Sequence, residues 1–267
     1  MKKTAPIGVF DSGLGGLTVF KALARRMPEE SLLYFGDTAH VPYGSKSPEA
    51  IARYSTAVAR FLGRKGIKVL VVACNTSSAW ALPAIRKAVK VPVIGVIEPG
   101  ARAALSVSKG RRIGVIGTEA TVRSGAYPAA IKKQARARTE SQACPLFVPF
   151  VEEGWWTGSV IEAVARRYAA PLKKAKVDTL ILGCTHYPYL KSVLGKVMGP
   201  KVRLIDSAEE TAAETARVLG GLGLRAPKGR KGARGFFASD APERFGRLGT
   251  RMLGTPIKKV SLHPFDA

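Results

Sequence analysis

Cysteine, histidine and acid are all scarce in this chain. Three cysteines, Cys74, Cys144 and Cys184, are spread over 267 residues. The count is odd and no Cys-x-x-Cys occurs, which argues against a disulfide framework and a four-cysteine zinc site. The three histidines, His40, His186 and His263, show no ligand spacing on a helix, so no metal is expected. No apolar run reaches the ~20 residues of a membrane span. Met1-Lys2-Lys3-Thr4-Ala5-Pro6 leads straight into a strand pattern with no signal-peptide core. A soluble, cytoplasmic protein is expected. Only 19 Asp and Glu face 43 Lys and Arg, a formal net charge of +24. Bases crowd residues 102–138, where Glu119 is the only acid, and residues 225–251. A solvated surface is the simplest reading of that charge; attraction to nucleic acid or another anionic partner is the sharper one.

What the chain does have is internal repetition. Val69-Leu70-Val71-Val72-Ala73-Cys74-Asn75-Thr76 resembles Thr179-Leu180-Ile181-Leu182-Gly183-Cys184-Thr185-His186, so two cysteines 110 positions apart share one context. Upstream, Ile7-Gly8-Val9-Phe10-Asp11-Ser12 resembles Ile113-Gly114-Val115-Ile116-Gly117-Thr118. Short apolar runs at 6–10, 31–36, 68–73, 93–97, 112–116, 144–148, 178–182 and 202–205 read as strands. Helical spacing covers 16–27, 48–65, 76–89, 119–135, 158–170, 187–198 and 207–220. Ser47-Pro48-Glu49 reads as a capped helix start. This alternation implies an α/β protein of two pseudo-symmetric domains, each a mainly parallel sheet flanked by helices, with the active site in the interdomain cleft. The expected division is 1–97 plus 208–267 for the first domain and 98–207 for the second. Residues 221–235 read as a mobile connector to a tail with strands at 236–238 and 260–262, which returns to the first domain.

Candidate chemistry gathers at strand ends. Cys74 and Cys184 each precede a helix-like stretch, where unpaired N–H groups favour a thiolate. A lone cysteine after a strand is more often a small core residue; two in matched contexts turn that balance, while Cys144 stays in the core. Asp11-Ser12-Gly13-Leu14-Gly15-Gly16 could cradle an anion through its backbone. Its glycine spacing fits neither a dinucleotide fingerprint nor a P-loop. Asp11 either caps a helix or stands beside a reacting group. Pro42-Tyr43-Gly44-Ser45 is a turn, and Glu152 follows an apolar run.

Together these motifs resemble bacterial glutamate racemases over most of residues 6–215. The resemblance is carried by residues 7–19, Gly36-Asp37-Thr38 with Pro42-Tyr43-Gly44, Ala73-Cys74-Asn75-Thr76, residues 113–118, and Leu182-Gly183-Cys184-Thr185-His186-Tyr187-Pro188. Related aspartate racemases usually carry Glu where His186 stands. The basic tail from about residue 221 is unusual for the family.

The resemblance implies cofactor-independent interconversion of L- and D-glutamate, supplying D-glutamate for peptidoglycan in a bacterial cell. By motif position Cys74 acts on the D-isomer and Cys184 on the L-isomer. Asp11 then assists Cys74, while His186 and Glu152 assist Cys184. Asp11, Ser12, Tyr43, Gly44, Asn75, Thr76, Thr185 and His186 contact substrate. The resemblance also implies a homodimer, and it leaves open nucleic-acid or topoisomerase contact through the basic surface. A nucleotide-sugar activator acting through a longer N-terminal extension is not expected, because the first strand begins near residue 6. A racemase for another amino acid, such as aspartate, is the nearest alternative. A thiol-redox protein would lack adjacent resolving cysteines.

Overall fold

Runs of β-branched and aliphatic residues form strands here because helices cover both faces of each sheet, so alternation is unnecessary. The computed structural model describes residues 1–265. In chain order the strands are β1 (Ile7–Asp11), β2 (Leu32–Gly36), β3 (Val69–Val72), β4 (Val93–Gly95) and β5 (Arg112–Gly117). They continue with β6 (Arg138–Ala143), β7 (Thr179–Gly183), β8 (Arg203–Ile205), β9 (Arg234–Ala238) and β10 (Ser261–Leu262). One sheet has the order β10-β9-β2-β1-β3-β4 and the other β6-β5-β7-β8. Every pairing is parallel. The segment β2-β1-β3-β4 therefore has the same order as β6-β5-β7-β8, so the repetition seen in sequence is a repetition of topology. The central strands β1, β3 and β7 are buried along their whole length. Cys74 follows β3 and Cys184 follows β7, at equivalent places.

Helix Pro48–Arg64 starts as its residues dictate. The Ser47 hydroxyl accepts from the Ala50 N–H at 3.2 Å, and Pro48 occupies the first turn, where no N–H is needed. Ile51, Val58, Ala59 and Leu62 form its buried stripe. Replacing Ser47 by Ala would cost about 1 kcal/mol.

Several expectations are corrected. The strand expected at 144–148 lies earlier, at Arg138–Ala143, and Phe147–Glu152 is a helix. β6 is an edge strand, half-exposed and polar along Arg138-Thr139-Glu140-Ser141-Gln142, so it lacks an apolar signature. The apolar run behind it, broken by Pro145 and Pro149, packs as a helix instead. The helix expected over 119–135 is two, Glu119–Arg123 and Ala126–Gln134, parted by Gly125 at φ 64°. The one expected over 76–89 is also two, Asn75–Trp80 and Leu82–Ala88. Pro83 has no N–H to extend the first ladder. Helix Ile97–Val107, which leads from β4 towards β5, was not anticipated.

The connector at 221–235 is tethered rather than free. Lys68, buried at the start of β3, is paired with Glu30 at 2.5 Å and donates to the Leu224 carbonyl at 2.8 Å. The other Glu30 oxygen accepts the Ala226 N–H at 2.8 Å. Beyond the connector, β9 pairs with β2 and β10 with β9.

Candidate active site

The carboxyl ends of β1, β3, β5 and β7 converge, as the crevice rule for parallel sheets requires. Cys74 and Cys184 line one cavity of ≈ 20 Å³ there. Ser12, Tyr43, Gly44, Asn75, Thr76, Thr185 and His186 also line it, and so do Val41, Pro42, Thr118 and Val148. That volume is about the room of one water. A larger cavity of ≈ 230 Å³ adjoins it and shares Val41, Pro42, Gly44, Thr118 and Val148. It forms a vestibule with Glu152 and Glu153 on its wall.

Asp11 and Glu152 stand behind the small cavity rather than in its lining. Asp11 is fully buried. Its Oδ1 accepts from the Thr185 hydroxyl at 3.2 Å and its Oδ2 from the Gly13 N–H at 3.0 Å. A Glu152 oxygen lies 3.3 Å from His186 Nε2, and His186 Nδ1 lies 3.8 Å from Cys184 Sγ. Glu152, His186 and Cys184 thus form a line running into the cavity. Cys74 has a different partner: its thiol donates to the Ser12 hydroxyl at 3.5 Å.

The glycine-rich turn serves a closer purpose than the anion cradle considered from sequence. A Cβ on Gly15 would lie 2.5 Å from His186 Nδ1, and one on Gly16 would lie 2.5 Å from Asp11 Cβ. The glycines let the Thr185–His186 segment approach the β1 turn, so the halves of the site meet across bare backbone.

Cys74 can be set against Cys144, the thiol of the plain core. Burial pushes Cys74 up from 9.0 to about 11, and the Asp11 charge adds to this, against hydrogen bonds from Ser12 and Ser77. Desolvation dominates at Cys74, yet it is raised less than the core thiol Cys144, so it ionises more easily than a cysteine in the plain core. Burial alone would lower His186. Hydrogen bonds to Cys184 and Glu152, with the charges of both, instead raise it from 6.5 to about 10. Both neighbours thus favour the protonated form of the imidazole that faces the Cys184 sulfur. For Glu152, burial works upward, but His186 and Arg244 hold it below the usual carboxylate range. Burial raises Asp11 despite His186 and the hydrogen bonds it accepts.

Two features of the site have weak sequence signals. Thr118 shares a hydroxyl cluster with Thr76 at 2.9 Å and Thr121 at 3.0 Å, and it caps helix Glu119–Arg123. Its place in the repeat, equivalent to Ser12 after β1, was the available clue. Val41 and Val148 are apolar walls that no motif announces. Among the described residues, no three His, Cys, Asp or Glu side chains are grouped as a metal site would need. Two thiols sharing one cavity, in unlike hydrogen-bonding environments, can act as acid and base on a single small molecule.

Known proteins resemble the chain in sequence and in fold. Residues 8–215 match the family model described as Asp/Glu/Hydantoin racemase. A glutamate racemase from Geobacter metallireducens is 53% identical over 255 residues, covering 95% of this chain and 94% of that protein. The crystal structure of a glutamate racemase isoform from Bacillus anthracis superposes with a TM-score of 0.92 at 40% identity, over 99% of this chain and 98% of that one. A Francisella tularensis glutamate racemase in complex with D-glutamate gives 0.92 at 36% identity, over 99% of both chains.

Proposed function

The chain belongs to the Asp/Glu/Hydantoin racemase family, and from that premise we propose that it interconverts L- and D-glutamate through its two thiols, without a cofactor. The observation that carries this reading is the single cavity lined by both Cys74 and Cys184. Relatives about half identical over nearly the whole chain are glutamate racemases.

In the L-to-D direction Cys184, as thiolate, takes the Cα proton. The Cα–H bond breaks, an S–H bond forms, and the electron pair is delocalised onto the substrate carboxylate. Cys74, as thiol, then gives its proton to the opposite face of Cα and is left as thiolate. Burial and the Asp11 charge raise the Cys74 thiol to about 11, so Cys74 keeps its proton at neutral pH and stands ready as the donor. His186, its protonated form favoured, faces the sulfur that must carry charge before the first transfer. Glu152 holds the imidazole from behind. Asp11 acts on Cys74 through charge, since its carboxylate helps to push the thiol up. In the D-to-L direction the two sulfurs exchange roles.

A Cα–H beside a carboxylate is a far weaker acid than a thiol, so the site has to stabilise the electron-rich intermediate with fixed donors. We assign that task to Asn75, Thr76, Thr185 and nearby backbone N–H groups, with Ser12, Tyr43 and Gly44 completing the substrate contacts. An amino diacid does not fit a cavity with room for about one water. Residues 1–97 with 208–267, and residues 98–207, are therefore proposed to separate for binding and to close over the substrate, excluding water.

D-Glutamate for peptidoglycan synthesis in the bacterial cytoplasm is the product use this reading supports, and a homodimer is the proposed assembly. A solvated surface is the reading we favour for the formal charge of +24; contact with nucleic acid or a topoisomerase would be a separate, minor role, recognised by its salt sensitivity. The enzymatic reading is tested by circular dichroism of L-glutamate solution with purified protein and no added cofactor. Decay of the signal to zero is expected, with aspartate unchanged. A constant glutamate signal, or faster decay with aspartate, would reject glutamate racemisation.

A further inference from the structure

Asn75 carries a buried donor that nothing among the described residues uses. Its Nδ2 has no hydrogen-bond partner among the described residues, although Asn75 is only 3% exposed. Most buried donors are paired, and one left over at the wall of a cavity calls for a partner from outside the chain. The other end of the carboxamide is occupied: the Tyr127 hydroxyl donates to Asn75 Oδ1 at 2.7 Å. Asn75 opens helix Asn75–Trp80 after β3, whereas Tyr127 stands on helix Ala126–Gln134, between β5 and β6. The bond therefore joins the two sheet units.

Tyr127 is itself held in place. It is 1% exposed, and burial raises its hydroxyl well above the ordinary range, so it remains a donor at any working pH. The Ser207 side chain packs beside it, both standing next to Gly100. Ser207 immediately precedes helix Ala208–Gly221, where the chain leaves β8. Gly100 makes room for this pair. A Cβ there would come within 3.3 Å of both the Tyr127 hydroxyl and Ser207 Cβ.

A carboxamide has one accepting end and one donating end, and its partners decide which way it is turned. With Tyr127 donating, the oxygen is fixed on the Tyr127 side and the amino group remains for the cavity that Asn75 lines. We propose that Tyr127 is a positioning residue that locks the Asn75 carboxamide with its amino group presented to a carboxylate oxygen of the substrate. This rests on the amino-diacid reading above. Because the lock spans the two units, separating them frees the amide to turn and closing them resets it.

The test uses the full-length enzyme. Tyr127→Phe keeps the ring and removes only the donor. It should raise KM for both glutamate enantiomers about tenfold, the effect of one buried hydrogen bond, with a smaller change in kcat. In an Asn75→Ala background the same change should raise KM no further, since neighbours acting through one another are not additive. Ser207→Ala, outside the cavity lining, should move KM in the same direction by less. KM unchanged in both Tyr127→Phe and Ser207→Ala, or a tenfold effect persisting in the Asn75→Ala background, overturns the proposal. A second readout needs no turnover. The side-chain amide of Asn75 in a ¹⁵N-labelled sample should give one sharp pair of proton signals, broadened or doubled in Tyr127→Phe. Signals unaltered by the substitution overturn the lock even if the protein proves inactive on glutamate, a result that would separately defeat the racemase reading.

Discussion

Nδ1 of His186 lies 3.8 Å from Sγ of Cys184, and the opposite nitrogen of the same ring lies 3.3 Å from Glu152. Cys74 has no imidazole; its thiol donates instead to the Ser12 hydroxyl at 3.5 Å. The site is thus duplicated in backbone and unequal in electrostatics. A device that must hold one sulfur charged and the other protonated at the start of a turnover has use for that inequality.

Removing the imidazole should slow the enzyme without changing its equilibrium. His186→Gln is expected to lower kcat/KM by about 10²–10⁴-fold, the usual range for a lost acid–base partner. The fall must be equal in both directions, because the enantiomers have equal free energy. The inequality appears in the primary deuterium isotope effects, which should become larger for α-deuterated L-glutamate, the substrate proposed for Cys184. Equal isotope effects for the two enantiomers in this variant would contradict the assignment of His186 to Cys184.

Gly15→Ala should abolish activity while leaving a folded protein. The added methyl would lie 2.5 Å from His186 Nδ1, so the Thr185–His186 segment must retreat. A 1 Å displacement of catalytic groups is enough to cost about 10²-fold. Circular dichroism spectra and racemase assays on the same sample check this. Activity within about threefold of the parent would show that the close approach is not required.

The site should leave a signature in stability against pH. The His186 pKa is raised from 6.5 to about 10 on folding, so its stabilising contribution is fully present below about pH 6.5. It is lost as pH climbs through 10. Cys74, raised from 9.0 to about 11, has the same sign over a higher window. Glu152, lowered from 4.5, contributes above that value and loses its contribution as pH falls. The net charge of +24 also relaxes at high pH and works the other way. The informative quantity is therefore the Tm difference between wild type and His186→Gln. It should favour wild type most near pH 6 and shrink steadily towards pH 10. A difference that grows over that interval would refute the raised imidazole.

Much of this was legible in the chain itself. Cys74 and Cys184 stand out because a strand followed by a helix leaves a readable apolar run on one side of each. The shared strand order of the two sheets gives that repetition its physical cause. Asp11, Ser12, Tyr43, Gly44, Thr185 and His186 sit in motifs of the same kind. The polar edge strand β6 was missed because apolar patterning reports burial, and an edge is only half buried. That Cys74 ionises more easily than a core thiol was legible from the helix that follows it; how far burial raises it depends on the packing around it, which the sequence does not display. Tyr127 had no signal at all. It sits within an ordinary helix, and its partner Asn75 lies 52 positions earlier in sequence.

The central claim, two sulfurs working on opposite faces of one carbon, is tested most directly by running the reaction in deuterium oxide and stopping it at low conversion. L-Glutamate should yield D-glutamate fully deuterated at Cα, while the remaining L-glutamate keeps its protium. D-Glutamate as the starting isomer should give the mirror result. Deuterium appearing equally in recovered substrate and in product, or a product that retains the original hydrogen, would mean that one group serves both faces.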